Sequence, residues 1–294
     1  MSTGFARPGE DNKMARPLTP PPAFDSDSPW GRYRLVLPTA LALCLSHVIP
    51  AFLAPLTKAL RRSVKYKCTQ PLDLIIWGLK LRLLPRGNIS EEKLYTAPQL
   101  FDRAELAFVR ERIKPGTIFL DVGANAGVYS FWASRYQAGR GRILAVEPDP
   151  EMRRRLSFNA ATNGLPIEIQ PFALSDRDGT AEFHINPNQR GTNSLETGLN
   201  DNDGDVVQKV QVRTLQSLLH TAGVTTVDLM KIDIEGHEMP VLRHFFAHAP
   251  KSLWPKAVIS EYNRKTADEL RALMEGCGYR VARQTGLNFI FTLT

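Results

Sequence analysis

Residues 117–132 read T-I-F-L-D-V-G-A-N-A-G-V-Y-S-F-W. The apolar run from Thr117 to Leu120 is a short strand, and a helical pattern restarts with Val128, Phe131 and Trp132. Between them lies the turn Asp121-Val122-Gly123-Ala124-Asn125-Ala126-Gly127. Gly123 lets the backbone bend sharply and approach a ligand, and Gly127 permits close packing of helix on strand. Strand, glycine turn and helix in this order open a βαβ unit. Many α/β proteins use a glycine there for packing alone, so the next strand matters. Arg142–Val146 is apolar after its first residue and ends in Glu147. A carboxylate at the end of the neighbouring strand can accept two hydrogen bonds from a ribose diol.

The alternation continues on both sides. Strands are expected near 117–121, 143–147, 167–172, 227–233, 256–261, 279–284 and 288–293, with helical patterns between the first five. That order builds a parallel sheet. Thr285-Gly286 separates the last two strands as a hairpin, which ends the sheet antiparallel. Residues 180–213 interrupt the pattern with two further strands, 180–185 and 207–213, around the polar loop 186–205. His184, Asn193 and Ser194 lie in or beside this insertion, as a surface flap or in touch with substrate. Upstream, Leu74–Trp77 and Leu79–Leu84 flank Gly78 as a hairpin. Asp102 with Glu105 three residues on reads as a capping box that starts helix 103–113. Trp132 and Trp254 read as packing positions.

The chain has 294 residues, 43% of them hydrophobic, enough for one large domain with extensions. Its net charge of +7 is concentrated. Residues 57–86 hold Lys58, Arg61, Arg62, Lys65, Lys67, Lys80, Arg82 and Arg86 against Asp73 alone, while residues 87–294 are nearly neutral. A nucleic-acid binder carries its basic face on the main domain, so no nucleic-acid partner is expected. A basic strip beside an apolar run suits an anionic membrane surface; a solvated basic helix end is the plainer alternative. Cys44, Cys68 and Cys277 are odd in number and widely spaced, which fits a reducing compartment and a cytoplasmic protein.

The chain divides into four parts. Residues 1–34 are a Pro-rich tail without an apolar period, expected to be disordered. Residues 35–69 combine an uncharged run, 35–57, with the basic segment. Pro38, Pro50, Pro55 and His47 interrupt the run, so a packed or membrane-lying helix competes with a spanning anchor. Residues 70–114 are the hairpin and helix lead-in, and 115–294 form the main domain. Asn88-Ile89-Ser90 matches a glycosylation sequon without secretory context.

The turn also discriminates between nucleoside ligands. A dinucleotide site needs G-x-G-x-x-G, so that pyrophosphate can rest on backbone amides. Here Asp121 opens the turn and Asn125 stands where a glycine would be expected. The carboxylate repels pyrophosphate and suits an amino-acid ammonium group. S-adenosyl-L-methionine is the nucleoside ligand that meets these conditions.

F-L-D-V-G-A-N-A-G-V-Y-S (119–130), V-E-P-D-P (146–150), A-L-S-D-R-D-G (173–179) and L-M-K-I-D-I-E-G-H-E (229–238) resemble the FkbM-type S-adenosylmethionine-dependent methyltransferases in motif, order and spacing. P-R-G-N-I-S-E (85–91) is similar to the lead-in of bacterial members. The resemblance covers roughly residues 70–294. It implies a Rossmann-like class I methyltransferase fold, with a seven-stranded, mostly parallel sheet, an antiparallel last strand and here an N-terminal extension. It implies O-methylation of a small-molecule or glycan hydroxyl: a saccharide, glycolipid or secondary metabolite. Carried onto this sequence, the pattern places Asp121, Gly123, Ala124 and Asn125 at the methionine side of the cofactor. Glu147 matches the ribose-binding acid, and Pro148 shapes the turn after it. Ala173, Leu174 and Ser175 end the third strand beside the adenine. Asp176 either accepts from the adenine amino group or caps the turn before Gly179. Asn159 matches an asparagine of the pattern, without an assigned role.

K-I-D-I-E-G-H-E (231–238) gathers the remaining chemistry. Ligands of an open parallel sheet bind beyond the carboxyl ends of its strands. Lys231, Asp233 and Glu235 share one side while the chain stays extended. Gly236 then turns the chain, and His237 and Glu238 begin a helix, whose dipole favours Glu238. A charge ending a buried strand needs a partner or a ligand. For Asp233 that is Lys231, or the acceptor hydroxyl. Candidates for the catalytic base are Asp233, Glu235, His237 and, at the next strand end, Glu261. Asp233, Glu235 and Glu261 also offer hard oxygen ligands for Mg²⁺, although the resemblance requires no metal and none is assigned. Two competing readings remain: a cofactor-binding module with weak catalysis tethered at a membrane, and a nicotinamide enzyme. The second is disfavoured by Asp121 and Asn125.

Overall fold

The computed structural model describes residues 20–48, 54–196 and 205–294. Residues 20–34 lie against the protein, although the sequence reads them as part of a disordered tail. The reason is a buried arginine downstream. Arg82 is fully buried and donates to Asp73, and also to the carbonyls of Asp25, Ser28 and Pro29. A buried guanidinium must have its donors satisfied, and this segment supplies the acceptors. Phe24 adds an edge-on contact to Phe158, with ring centroids 5.6 Å apart. Residues 1–19 of the expected tail lie outside the described residues.

Helices α1 (Leu37–Val48) and α2 (Ala54–Lys67) follow. They replace the single apolar helix expected across 35–57, whose residues 49–53 lie outside the described residues. No helix among the described residues is long and apolar enough to cross a membrane. Strands β1 (Leu72–Ile76) and β2 (Leu79–Leu83) form the expected hairpin. Trp77 and Gly78 both take positive φ, 56° and 82°, as a two-residue turn matched to strand twist requires. Helices α3 (Ile89–Thr96) and α4 (Arg103–Arg112) lead to the main sheet.

The main domain begins with β3 (Ile118–Val122), α5 (Val128–Gln137), β4 (Arg142–Val146), α6 (Pro150–Thr162), β5 (Ile167–Gln170) and β6 (Ala173–Leu174). It continues with β7 (Gly179–Ile185), β8 (Val206–Arg213), α7 (Leu215–Thr221), β9 (Leu229–Ile232) and α8 (Glu238–His248). The last elements are β10 (Ala257–Glu261), α9 (Ala267–Gly276), β11 (Tyr279–Gln284) and β12 (Asn288–Leu293). The central sheet runs β11-β12-β10-β9-β3-β4-β5, parallel except for β12, which is antiparallel to both neighbours. This is the Rossmann-like seven-stranded arrangement expected. The sheet order reverses beside β3, so the ends of β3, β4 and β9 open onto one crevice.

Two differences from the sequence reading affect the site. The third strand stops at Gln170 instead of 172, because Pro171 has no N–H to donate. Ala173–Leu174 leave the main sheet and pair with β8, in a separate sheet β6-β8-β7. Asn159 now has a role. Its side chain accepts from Arg82 N–H at 2.7 Å and donates to Arg82 carbonyl at 3.0 Å, pinning the hairpin to α6.

Candidate active site

The turn after β3 is built around backbone proximity. The Gly123 and Ala124 N–H groups both donate to the Val146 carbonyl. Gly123 has φ +73°, and a Cβ there would lie 1.8 Å from the Asp233 carbonyl oxygen. Only glycine lets the β3 turn and the loop after β9 meet. Asn125 also takes positive φ, 52°. Its side-chain oxygen accepts from Ala126 N–H and from the Nδ2 of Asn88, which is wholly buried and caps α3. The sequon at Asn88 is therefore a structural element under the turn.

A cleft of about 880 Å³, solvent-facing mouth included, opens above these residues. Gly123, Ala124, Asn125, Glu147, Pro148, Ala173 and Leu174 line it, so the expected cofactor residues converge. Asp121 departs from expectation, and Asp176 does not take the adenine-side place that is one of its two alternatives. Asp121 is buried beneath the floor, outside the lining. One of its oxygens accepts from Ser130 Oγ at 2.7 Å and the other has no hydrogen-bond partner. Burial raises its pKa, while the neighbouring Lys231 lowers it. Asp176 points to solvent beside Arg177 and does not line the cleft. The break at Pro171 redirects the segment so that Ser175, not Asp176, turns inward. Ser175 is buried, and its Oγ lies 3.0 Å from His237 Nε2.

Glu147 is buried, and its oxygens accept Asn125 N–H at 2.7 Å and Asp149 N–H at 2.8 Å. Burial is the largest influence on it and pushes its pKa up to about 7. Each carboxylate oxygen can accept twice, so lone pairs remain for a diol.

Beyond β9 the charges interlock. Lys231 is buried, reaches Asp233 at 3.0 Å, and lies over the Tyr129 ring at 5.2 Å. Of the two partners foreseen for Asp233, the lysine is in place, and the carboxylate also lines the cleft. Burial opposes the Lys231 charge, but Asp233 and Asp121 outweigh it and raise its pKa. Burial also pushes Asp233 upward, yet Lys231 and a hydrogen bond with Glu261 hold its carboxyl below the usual range. Glu261 is pushed up to about 10 by burial and the Asp233 charge. Glu235 is pushed up to about 8 by burial, then by Asp233 and Glu238. Asp233, Glu235 and Glu261 each bring an oxygen within 4.8 Å of the others, close enough to share a divalent cation. Asp233 and Glu235 line the cleft; Glu261 stands behind Asp233. Glu235 takes φ 53°, a conformation that a non-glycine residue holds only when its surroundings impose it. Ser194 Oγ grips its carbonyl at 2.8 Å.

His237 is the N-cap of α8 and lines the cleft. Nε2 meets Ser175 and Nδ1 meets Glu196 Oε1 at 2.6 Å. With both nitrogens hydrogen-bonded, it braces the segment after β6 against the flap. Glu238 accepts from Ile234 N–H at 2.7 Å, the helix-start role expected of it. The flap lines the cleft with Arg190, Gly191, Asn193 and Leu195. Asp149 anchors it by accepting from Arg190 at 2.6 Å and Asn193 at 2.8 Å. Residues 197–204 of the insertion lie outside the described residues.

Among the polar lining residues that the sequence does not assign to the site are Asp102, Tyr129 and Lys231. Asp102 makes no side-chain cap, contrary to the capping box expected. Its φ is 34°, and it accepts from Tyr129 O–H at 3.0 Å instead. Glu105 is equally diverted, accepting from Thr285 and Asn288. Their shared clue was a local motif whose side chains had stronger tertiary partners.

The methyltransferase FkbM domain profile matches residues 121–281, more than half of the chain. The chain belongs to the FkbM methyltransferase family. S-adenosyl-L-methionine is the cofactor of this FkbM-family chain. The cleft fits it: the glycine turn, Glu147 and the Ala173–Leu174 segment line one cavity, and Asp121 keeps an unsatisfied buried oxygen beneath it. The FkbM-family chain is 30% identical over 164 residues to AMB antimetabolite synthetase AmbE of Pseudomonas aeruginosa, covering 44% of this chain and 8% of AmbE. It is 25% identical over 203 residues to 31-O-demethyl-FK506 methyltransferase FkbM of Streptomyces tacrolimicus, covering 58% and 76%. It is 26% identical over 135 residues to hexuronic acid methyltransferase AglP of Haloferax volcanii, covering 45% and 52%. The match thus spans about half or less of two of these three relatives.

Proposed function

We propose that the protein is an O-methyltransferase whose acceptor is a hydroxyl of a saccharide, glycolipid or secondary metabolite. The observation that carries this reading is that Glu235 and Asp233 line the same cleft as Glu147 and the glycine turn. Relatives named for a 31-O-demethyl substrate and a hexuronic acid support the acceptor class.

When bound, S-adenosyl-L-methionine supplies a methyl group on an electrophilic sulfonium. Gly123–Asn125 and Glu147 would hold it, with Asp121 supporting the turn from below. Positioning of donor and acceptor contributes roughly 7–11 kcal/mol to lowering the barrier. An alcohol is a weak nucleophile, and a base adds about 10²–10⁴-fold. Asp233 is ionised but held by Lys231, which makes it a weak base. Glu261 keeps its proton until about pH 10 and donates it to Asp233. Glu235, near 8, is matched to its task. It would take the hydroxyl proton as the acceptor oxygen bonds to the methyl carbon and the methyl–sulfur bond breaks, with the sulfur keeping its electron pair in the departing S-adenosylhomocysteine.

The acceptor is found by mass spectrometry of glycolipids and polysaccharides from cells with and without the gene. A species lighter by one CH₂ in the deleted strain is expected. Identical profiles in every hydroxylated fraction would remove this acceptor class.

A further inference from the structure

The α1–α2 hairpin is the part of the molecule that the cleft does not account for. Leu37, Leu41 and Leu45 are spaced one turn apart on α1 and are 80%, 56% and 42% exposed. Leu56, at the start of α2, is 49% exposed. Leu37, Leu41 and Leu45 form a stripe on one face of α1, while Leu43 of α1 and Val64 of α2 are buried in the core. Such a stripe in water needs an occupant.

Charge identifies it. Between Asp27 and Asp73 the chain has no acidic residue, and it has seven basic ones. Lys58, Arg62 and Lys67 are exposed on α2. A second copy of the chain would bring the same cations against each other across a two-fold interface, which is repulsive. A nucleic-acid backbone would satisfy the cations and leave the leucines wet. An anionic bilayer meets both needs, since leucines enter the boundary between headgroups and acyl chains while lysine and arginine meet lipid phosphates.

We propose that the α1–α2 hairpin docks the protein on the surface of an anionic lipid bilayer, lying in it and not crossing it. This stands apart from the acceptor reading. It also gives the cleft a location, because α3 joins the two features. Glu92 of α3 pairs with Lys65 of α2 at 2.5 Å, and Ser90 of α3 lines the cleft.

The test is sedimentation of the full chain with vesicles of phosphatidylcholine alone, or with phosphatidylserine added. Two variants are compared: Lys58→Glu/Arg62→Glu/Lys67→Glu and Leu37→Gln/Leu41→Gln/Leu45→Gln. All substituted side chains are exposed, and circular dichroism melts check the fold. Wild type is expected to sediment with the serine-containing vesicles and to release with salt. The charge variant should lose about 100-fold in affinity or more, and the leucine variant should bind more weakly, with its residual binding still released by salt. Absence of wild-type binding overturns the proposal, as does binding kept in both variants. Dimerisation abolished by the leucine variant, without vesicle binding, would assign the face to a second copy. RNA binding lost in the charge variant alone, again without vesicle binding, would assign it to nucleic acid.

Discussion

Replacing Glu147 by Gln tests the cofactor site without knowledge of the acceptor. The carboxylate keeps lone pairs for a ribose diol after accepting Asn125 and Asp149 N–H. Hydrogen bonds to a charged acceptor contribute about 1.5–3 kcal/mol each, and to a neutral one about 0.5–1.5. Two bonds weakened in this way cost about 2–3 kcal/mol, or about 30- to 150-fold in Kd. Titration calorimetry with S-adenosylhomocysteine measures it directly. The pH dependence supplies a second, independent reading. In the unliganded protein Glu147 is held near 7 by burial, and the diol prefers the ionised form. Wild-type affinity should therefore fall by up to about tenfold per unit as pH drops below 7, while Glu147→Gln stays flat. A melting curve controls for the one backbone hydrogen bond the amide cannot reproduce. Unchanged affinity in a folded variant, or a flat wild-type profile between about pH 5 and pH 9, would refute the assignment.

Three further outcomes follow from the packing and charge. Gly123→Ala forces a methyl into the Asp233 carbonyl at a positive φ, so it should cost about 1–3 kcal/mol in urea melts and abolish homocysteine-product binding; a stable, binding variant would contradict the geometry. Arg82→Ala leaves the buried Asp73 without its ion-pair partner and should cost about 3–5 kcal/mol in the same melts; a loss within the scatter of a surface substitution would contradict it. Glu261 is pushed from 4.5 to about 10, so the folded state binds its proton more tightly and stability falls as pH rises between those values. Glu261→Gln should flatten that decline in Tm, and an unchanged slope would place the titrating group elsewhere.

The glycine turn and the strand-ending acids were readable because their spacing reflects backbone demands: Gly123 against Asp233, and Glu147 at the end of β4. The sheet was readable for the same reason, down to the antiparallel β12. What could not be read depended on distant partners. Asp102 looks like a helix cap until Tyr129 competes for it, and residues 20–34 look like tail until Arg82 requires their carbonyls. Of the two places read for Asp176, adenine or turn, the cleft side is the one it does not occupy, because Pro171 ends β5 early. The proposal of Glu235 among the four candidate bases rests on surrounding charges that no local motif displays: Lys231 pairs with Asp233, burial and the Asp233 charge raise Glu261, and His237 is hydrogen-bonded at both nitrogens.

The most direct test of the central claim is transfer of labelled methyl from S-adenosyl-L-methionine to hydroxylated saccharide and glycolipid fractions, comparing wild type with Glu235→Gln. Wild type should form an O-methyl product at a rate that rises with pH toward about 8 and then levels. Glu235→Gln should bind the cofactor normally yet lose about 10²–10⁴-fold in rate and that pH dependence. A variant that transfers methyl at the wild-type rate, or a wild-type product methylated on nitrogen or carbon, would contradict the account.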